Sequence, residues 1–194
     1  MSESDGLVDQ QIRGAKHVHD VVLRRAWPGR RELRTVRKAL RDINRLETLA
    51  VQLYRAQWSR EPTELNRQLL AALENEITHH ADSLGRLMEF GGRPTVLRLP
   101  YYVLGWLMGR ASRIIGFRAM MRLGAWAENK AVEHYERLAE ACRWHGPTHE
   151  MVVAIGEDEK VHRSRWRYLH DHPEIAHGPP QRIEDDLHRA ARPE

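Results

Sequence analysis

Residues 154–166 read AIGEDEKVHRSRW. Val152, Ile155, Trp166 and Leu169 recur around this stretch at helical spacing and share one face. Glu159 and His162 fall on the same face, in the gap between Ile155 and Trp166. A carboxylate and an imidazole therefore stand where the core of the helix should be. Their i,i+3 separation sets them side by side.

The interruption recurs in three further segments. One stripe runs Val36, Leu40, Ile43, then Glu47, then Ala50 and Tyr54. A second runs Leu65, Leu69, Ala72, then Glu76 and His79, then Ser83, Leu87 and Phe90. A third runs Phe117, Met121, Gly124, then Glu128, then Ala131, Tyr135 and Leu138. Each apolar face carries one glutamate, and two of the four add a histidine three residues later.

The breaks between segments are legible. WPGR at 27–30, SREP at 59–62, GGRP at 91–94 and HGP at 145–147 are turn sequences, and β signals are nearly absent. The pattern predicts four long helices at roughly 31–58, 63–90, 114–143 and 149–170. The first two and the last two are joined by short turns, and a long connection at 91–114 links the pairs. Two antiparallel hairpins with one long crossover give an all-α fold, a ferritin-like four-helix bundle. The expected organisation is an N-terminal extension at 1–30, the bundle at 31–170 and a polar C-terminal tail at 171–194 that holds at most one short helix. Glu47 and Glu76 flank SREP almost symmetrically and should lie at one level. Glu128 and Glu159 are offset about HGP by about one turn of ~5.4 Å, and a loose connection at 143–148 is expected to absorb it.

A lone glutamate on an apolar stripe ordinarily reaches out to water, and a lone buried histidine is ordinarily hydrogen-bonded core. Four glutamates facing one another would repel, and each would lose its hydration. Divalent cations remove both costs. One Glu from each of two helices plus Glu-x-x-His from each of the other two is the ligand pattern of di-iron and di-manganese bundles. The expected ligands are Glu47, Glu76, His79, Glu128, Glu159 and His162. Glu74, His80, Glu133 and Glu157 lie off the stripes and are expected in solvent. Tyr54 and Tyr135 lie on them, as core or as hydrogen-bond partners of the ligands. The histidines at 145, 149, 170, 172 and 177 are scattered around turns and suggest no second site.

Composition narrows the class. The 194 residues suit one domain; 30% are charged, and 31 basic against 27 acidic residues leave a net charge of +4. That balance, without a basic block interleaved with aromatics, excludes a nucleic-acid partner. The single cysteine, Cys142, allows no internal disulfide and fits a reducing compartment. MSESDGLVDQQ at 1–11 has no apolar signal region, and the apolar run LPYYVLGWLMG at 99–109 is too short to span a bilayer. A cytoplasmic location is expected, with peripheral membrane contact through 96–123. That segment mixes bulky apolar residues with Arg98, Arg110, Arg113, Arg118 and Arg122.

The chain resembles the demethoxyubiquinone hydroxylase family, ferritin-like di-iron monooxygenases of ubiquinone biosynthesis. The resemblance runs from about Leu40 to Leu169. It rests on GGRPTVLRLPYYVLGWLMG at 91–109, ETLAVQLYRAQ at 47–57 and AENKAVEHY at 127–135, besides the ligand motifs. It implies the same six ligands, two iron ions (or manganese), O₂ and a quinone-like or aromatic substrate. It also implies that His134 and Tyr135 form a pair behind the metal and beside the substrate. The chain departs from the family at Ile43, Asn44, Arg45 and Leu46, and in the polar tail from Asp171 onward. These departures leave the ligands intact and widen the substrate to other aromatic or quinoid compounds. The alternative function is a ferritin-like protein that oxidises iron or reduces peroxide without hydroxylating. An iron-oxidising protein needs an acidic ion path, and there is no Asp or Glu between Glu89 and Glu128.

Overall fold

The structure, a computed structural model, describes residues 29–142, 144 and 146–180. Almost all of the expected extension at 1–30 and the tail beyond residue 180 lie outside the described residues. Helices follow in the order α1 (Arg30–Gln57), α2 (Glu64–Glu89), α3 (Arg98–Ile115), α4 (Phe117–Ala141), α5 (Gly146–Asp171) and α6 (Pro173–His177). No strand occurs among the described residues. α1 packs along α2, and α4 along α5, as two hairpins that face each other. This is the all-α, ferritin-like bundle that the stripes predict.

Local signals set the helix ends. Thr63 caps α2, its side-chain oxygen accepting from the Asn66 backbone N–H at 3.3 Å. Glu64 in the first turn binds Arg67 and Gln68 side chains one turn on. α5 starts at Gly146, three residues earlier than expected. Glu128 and Glu159 thereby stand equally far from the facing ends of α4 and α5, at Ala141 and Gly146. The expected one-turn offset is removed by the added helical turn, not by a loose connection.

Two apolar clusters fill the bundle. Leu53, Leu65, Leu69, Met121, Trp166 and Leu169 pack at the end that holds the SREP turn. Val36, Leu40, Ile43, Leu87, Val152 and Ile155 pack at the other. The glutamates and histidines of the stripes lie between these plugs. Burial at roughly 25 cal/mol per Å² of apolar surface holds the plugs together, and water is excluded from what lies between.

The 91–114 connection, expected as a long crossover, contains a further helix. Most of it is the 18-residue helix α3, which lies along α1. Its buried residues are Gly105, Gly109 and Ser112, one narrow stripe. A Cβ at 105 would overlap the Leu49 carbonyl, and one at 109 would overlap that of Leu53 and stand 2.7 Å from Ala56 Cβ. Only hydrogen in place of a side chain lets the two backbones approach this closely. Ser112 fixes the end of the stripe by accepting from Gln57 Nε2 at 2.9 Å. Gly116, at φ +119, then turns the chain into α4. The expected polar tail also begins with packed residues: Ala176 is buried, and the Glu64 N–H donates to the Gly178 carbonyl at 3.0 Å.

The α3 contact is testable by paired substitutions. Gly109→Val should destabilise the chain by about 2 kcal/mol or more through overlap with α1. Gly85→Ala, in α2 with nothing within 4 Å of the added methyl, should be neutral or stabilise by up to about 1 kcal/mol. Denaturant melts of the two variants check both signs.

Candidate metal centre

Each of the four long stripes delivers its polar residues to the middle of the bundle. Glu47 comes from α1, Glu76 and His79 from α2, Glu128 from α4, and Glu159 and His162 from α5. All six are at most 3% exposed. The two i,i+3 pairs face each other across the α2–α5 contact, their imidazole centroids 6.4 Å apart.

The side chains form two overlapping groups. Glu47, Glu76, His79 and Glu159 offer ligand atoms within 4.8 Å of one another, and so do Glu76, Glu128, Glu159 and His162. Glu76 and Glu159 belong to both. Both imidazoles turn Nδ1 inward: His79 Nδ1 lies 3.4 Å from Glu159 and 3.8 Å from Glu47 and Glu76, and His162 Nδ1 lies 3.4 Å from Glu76 and 3.5 Å from Glu159. Glu47 Oε2, both Glu76 oxygens, Glu159 Oε2 and both Nδ1 atoms are buried without a hydrogen bond. Polar atoms left this way are costly unless something else occupies the space between them. Carboxylate oxygens with one imidazole nitrogen per group suit iron or manganese, and no thiolate intrudes. The residues fit a pair of such ions.

Charge in the cluster is arranged to match. Burial, reinforced by neighbouring carboxylates, pushes Glu47 and Glu128 well above the carboxylate range. Burial also works to raise Glu76 and Glu159, but the two imidazoles prevail at Glu76 and lower it, and at Glu159 a hydrogen bond with Glu128, joined by the imidazoles, holds the carboxyl well below its ordinary value. Burial opposes charge on the histidines as well. Asp158, Glu159 and Glu76 overcome it at His79, which is raised well above its ordinary value. Glu159 and Glu76 raise His162 to about 9. Protons thus supply the positive charge that four close carboxylates require.

A second layer holds the first. The Tyr135 hydroxyl donates to Glu47, and the Tyr54 hydroxyl donates to Glu128. Trp166 Nε1 donates to the Tyr54 oxygen at 2.9 Å. Both stripe tyrosines are therefore hydrogen-bond partners as well as core. His79 Nε2 lies 3.1 Å from Asp158, and His162 Nε2 lies 3.2 Å from the Asn75 amide. Asp158, Asn75 and the polar role of Trp166 were not evident in the sequence. The available signal was positional, since Asn75 and Asp158 each precede the glutamate of a Glu-x-x-His pair.

The remaining expected residues are placed less centrally. His134 is half-buried, its ring edge-on to Tyr135 at 5.9 Å, and its Nε2 has no hydrogen bond. Glu74, Glu133 and Glu157 are exposed as expected, whereas His80 is half-buried. It lines a groove of about 390 Å³ between α1, α2 and α3, together with Thr48, Val51, Gln52, Arg55, Ile77, Arg98, Leu99 and Tyr102. α3 roofs this part of the bundle and takes His80 out of solvent.

The family model for "Ubiquinone biosynthesis protein COQ7" matches residues 34–175. The chain is also 33% identical over 144 residues to a 3-demethoxyubiquinol 3-hydroxylase of Polaromonas sp. (strain JS666 / ATCC BAA-500). That match covers 69% of this chain and 67% of the relative.

The charge arrangement sets a pH dependence for the chelator-treated chain. Both histidines hold protons more firmly folded than unfolded. Their contribution to stability is complete below their ordinary value of 6.5 and is lost as pH rises, through about 9 for His162. Glu47 and Glu128, also raised, lose theirs above 4.5. Glu76 and Glu159, held low, add stability only above their depressed values and oppose this trend only in acid. The melting temperature should therefore fall from about pH 6 to about pH 9, and the fall should become shallower when Glu76 and Glu159 are both changed to Gln, which leaves burial of Glu47 and Glu128 and the Asp158 contact to His79 in place.

Proposed function

The chain belongs to the COQ7 family of ubiquinone biosynthesis proteins, and from that premise we propose that it is an O₂-dependent hydroxylase of a quinol-like ring with a pair of iron ions as cofactor. The observation that carries this reading is the set of inward-turned, unbonded ligand atoms buried between two apolar plugs. Manganese fits the same donors. When bound, the ion pair supplies O₂ activation: one oxygen atom goes to the ring and the other leaves as water, with two electrons from an external donor.

The chain's own residues have defined tasks in this reading. Glu47 and His79 would hold one ion and Glu128 and His162 the other, with Glu76 and Glu159 belonging to both groups of ligand atoms. Tyr135 and Tyr54 fix the rotamers of Glu47 and Glu128 through their hydroxyls. The ligands hold protons until cations displace them, so loading releases protons to solvent. The two apolar plugs keep bulk water from the reacting face. His134, edge-on to Tyr135, is assigned with it to the substrate side, a role that rests on the family resemblance.

The same reading accounts for the outer surface of α3. Leu99, Val103, Trp106, Leu107, Ile114 and Ile115 are all exposed, and the arginines of 96–123 border them. Among the described residues no helix is long and apolar enough to cross a membrane. We assign this face to reversible contact with an anionic lipid surface, apolar side chains dipping in and arginines at the headgroups. The groove beneath α3, with Val51, Ile77, Leu99 and Tyr102 in its lining, offers an apolar approach from that surface.

Two measurements test the proposal. Iron-loaded protein given O₂, a reductant and demethoxyubiquinol should yield a product heavier by one oxygen atom. Glu159→Ala and His79→Ala should lose most of the bound iron and this product, while the exposed Glu74→Ala and Glu157→Ala should lose neither. Equal iron loss in the two pairs would refute the ligand assignment.

Membrane contact is tested by co-sedimentation. Vesicles containing anionic lipid should retain the protein at low salt and release it as ionic strength rises. Retention should drop when Trp106 and Leu107 are changed to Ser. Failure to bind anionic vesicles would point to a substrate that arrives from water.

A further inference from the structure

The residue before each Glu-x-x-His glutamate reaches across the bundle to the other helix's histidine. Asp158 of α5 sits 3.1 Å from His79 Nε2, and Asn75 of α2 sits 3.2 Å from His162 Nε2. The positions are reciprocal, but the chemistry is not. With Nδ1 facing the carboxylate cluster, each Nε2 carries the hydrogen and needs an acceptor. Asp158 accepts with an anionic oxygen. Asn75 accepts with a neutral amide oxygen, brought to His162 by a half-turn of its carboxamide.

Burial explains why the two partners differ. The Asp158 side chain is 21% exposed, so its charge keeps part of its hydration. Asn75 is 6% exposed, where an unpaired carboxylate would be costly and an amide is not. The terminal glutamates differ in the same sense. Glu47 accepts from one hydroxyl, that of Tyr135. Glu128 accepts from Tyr54, whose oxygen in turn accepts from Trp166 Nε1, and from that same Nε1 directly at 3.4 Å. That chain makes Tyr54 a stronger donor and draws electron density away from Glu128.

Both differences favour the same position. A carboxylate behind an imidazole raises its basicity as a ligand and adds negative charge near the cation. Resting on the two-ion reading above, we infer that the two metal positions are unequal: the Glu47–His79 position, backed by Asp158, takes the first divalent cation, and the Glu128–His162 position, backed by Asn75, fills second and more weakly. Asp158 and Asn75 are positioning residues, acting through the histidines they hold.

The test is a Co²⁺ titration of the chelator-stripped full chain, followed by visible absorption. Wild type should take up two equivalents in two steps, separated by about tenfold or more in affinity. His162→Ala should keep the tight step, and His79→Ala should keep only the weak one. Asp158→Asn should weaken the first step by roughly 10- to 100-fold, and Asp158→Glu should restore part of it. Asn75→Asp should tighten the second step, a gain that misfolding cannot produce. Two ions bound in one unresolved step, retention of the tight step in His79→Ala, or an Asn75→Asp titration like wild type would each overturn the inference while leaving two-ion binding in place. No Co²⁺ uptake by wild type would instead sink the two-ion reading, and this inference with it.

Discussion

The structure turns on four carboxylates and two imidazoles packed within a few ångströms at the dry centre of a helical bundle. Such a cluster is unfavourable on every count when left alone: hydration is lost, like charges face each other, and lone pairs go unanswered. Positive charge must enter, as protons or as metal ions. The directions of the pKa shifts describe the proton solution, in which burial favours the neutral form of Glu47 and Glu128 and the nearby carboxylates favour the charged form of both histidines. The unbonded inward atoms suit the metal solution, the one the proposed function adopts. The two solutions compete for the same atoms, which ties stability, cation binding and pH into one equilibrium.

The rest of the fold stabilises this centre. An apolar plug at each end supplies the burial energy that the centre itself cannot. Tyr54 and Tyr135 contribute to those plugs through their rings and to the ligands through their hydroxyls. One side chain thus serves packing and chemistry at once, so changes at these tyrosines should move stability and ligand geometry together. Trp166 does the same, its Nε1 shared between the Tyr54 oxygen and Glu128.

α3 solves a different problem. A crossover between hairpins has to run the length of the bundle, and a helix can do so only if it finds a surface to lie on. The glycines at 105 and 109 let it approach α1 backbone to backbone. The price is that so narrow a contact buries almost none of the helix's bulky side chains, which remain outward. The exposed apolar face is therefore a direct consequence of how α3 is attached. It is also the feature that links the buried centre to a lipid-borne substrate in the proposed function.

What the sequence alone determined is what helical periodicity determines. The stripes identified which glutamates and histidines face inward, because which face a residue occupies depends only on its spacing along its own helix. The turn sequences fixed the hairpins, and the long gap fixed the crossover. Tertiary structure decided everything that depends on the rotation and level of one helix against another. It joined Tyr135 to Glu47 and Tyr54 to Glu128 across 88 and 74 residues of chain, set Asp158 behind His79 and Asn75 behind His162, laid α3 over His80, and packed Ala176 where a polar tail was expected. Contacts of this kind depend on how side chains of two helices interdigitate, and no period within either helix encodes that.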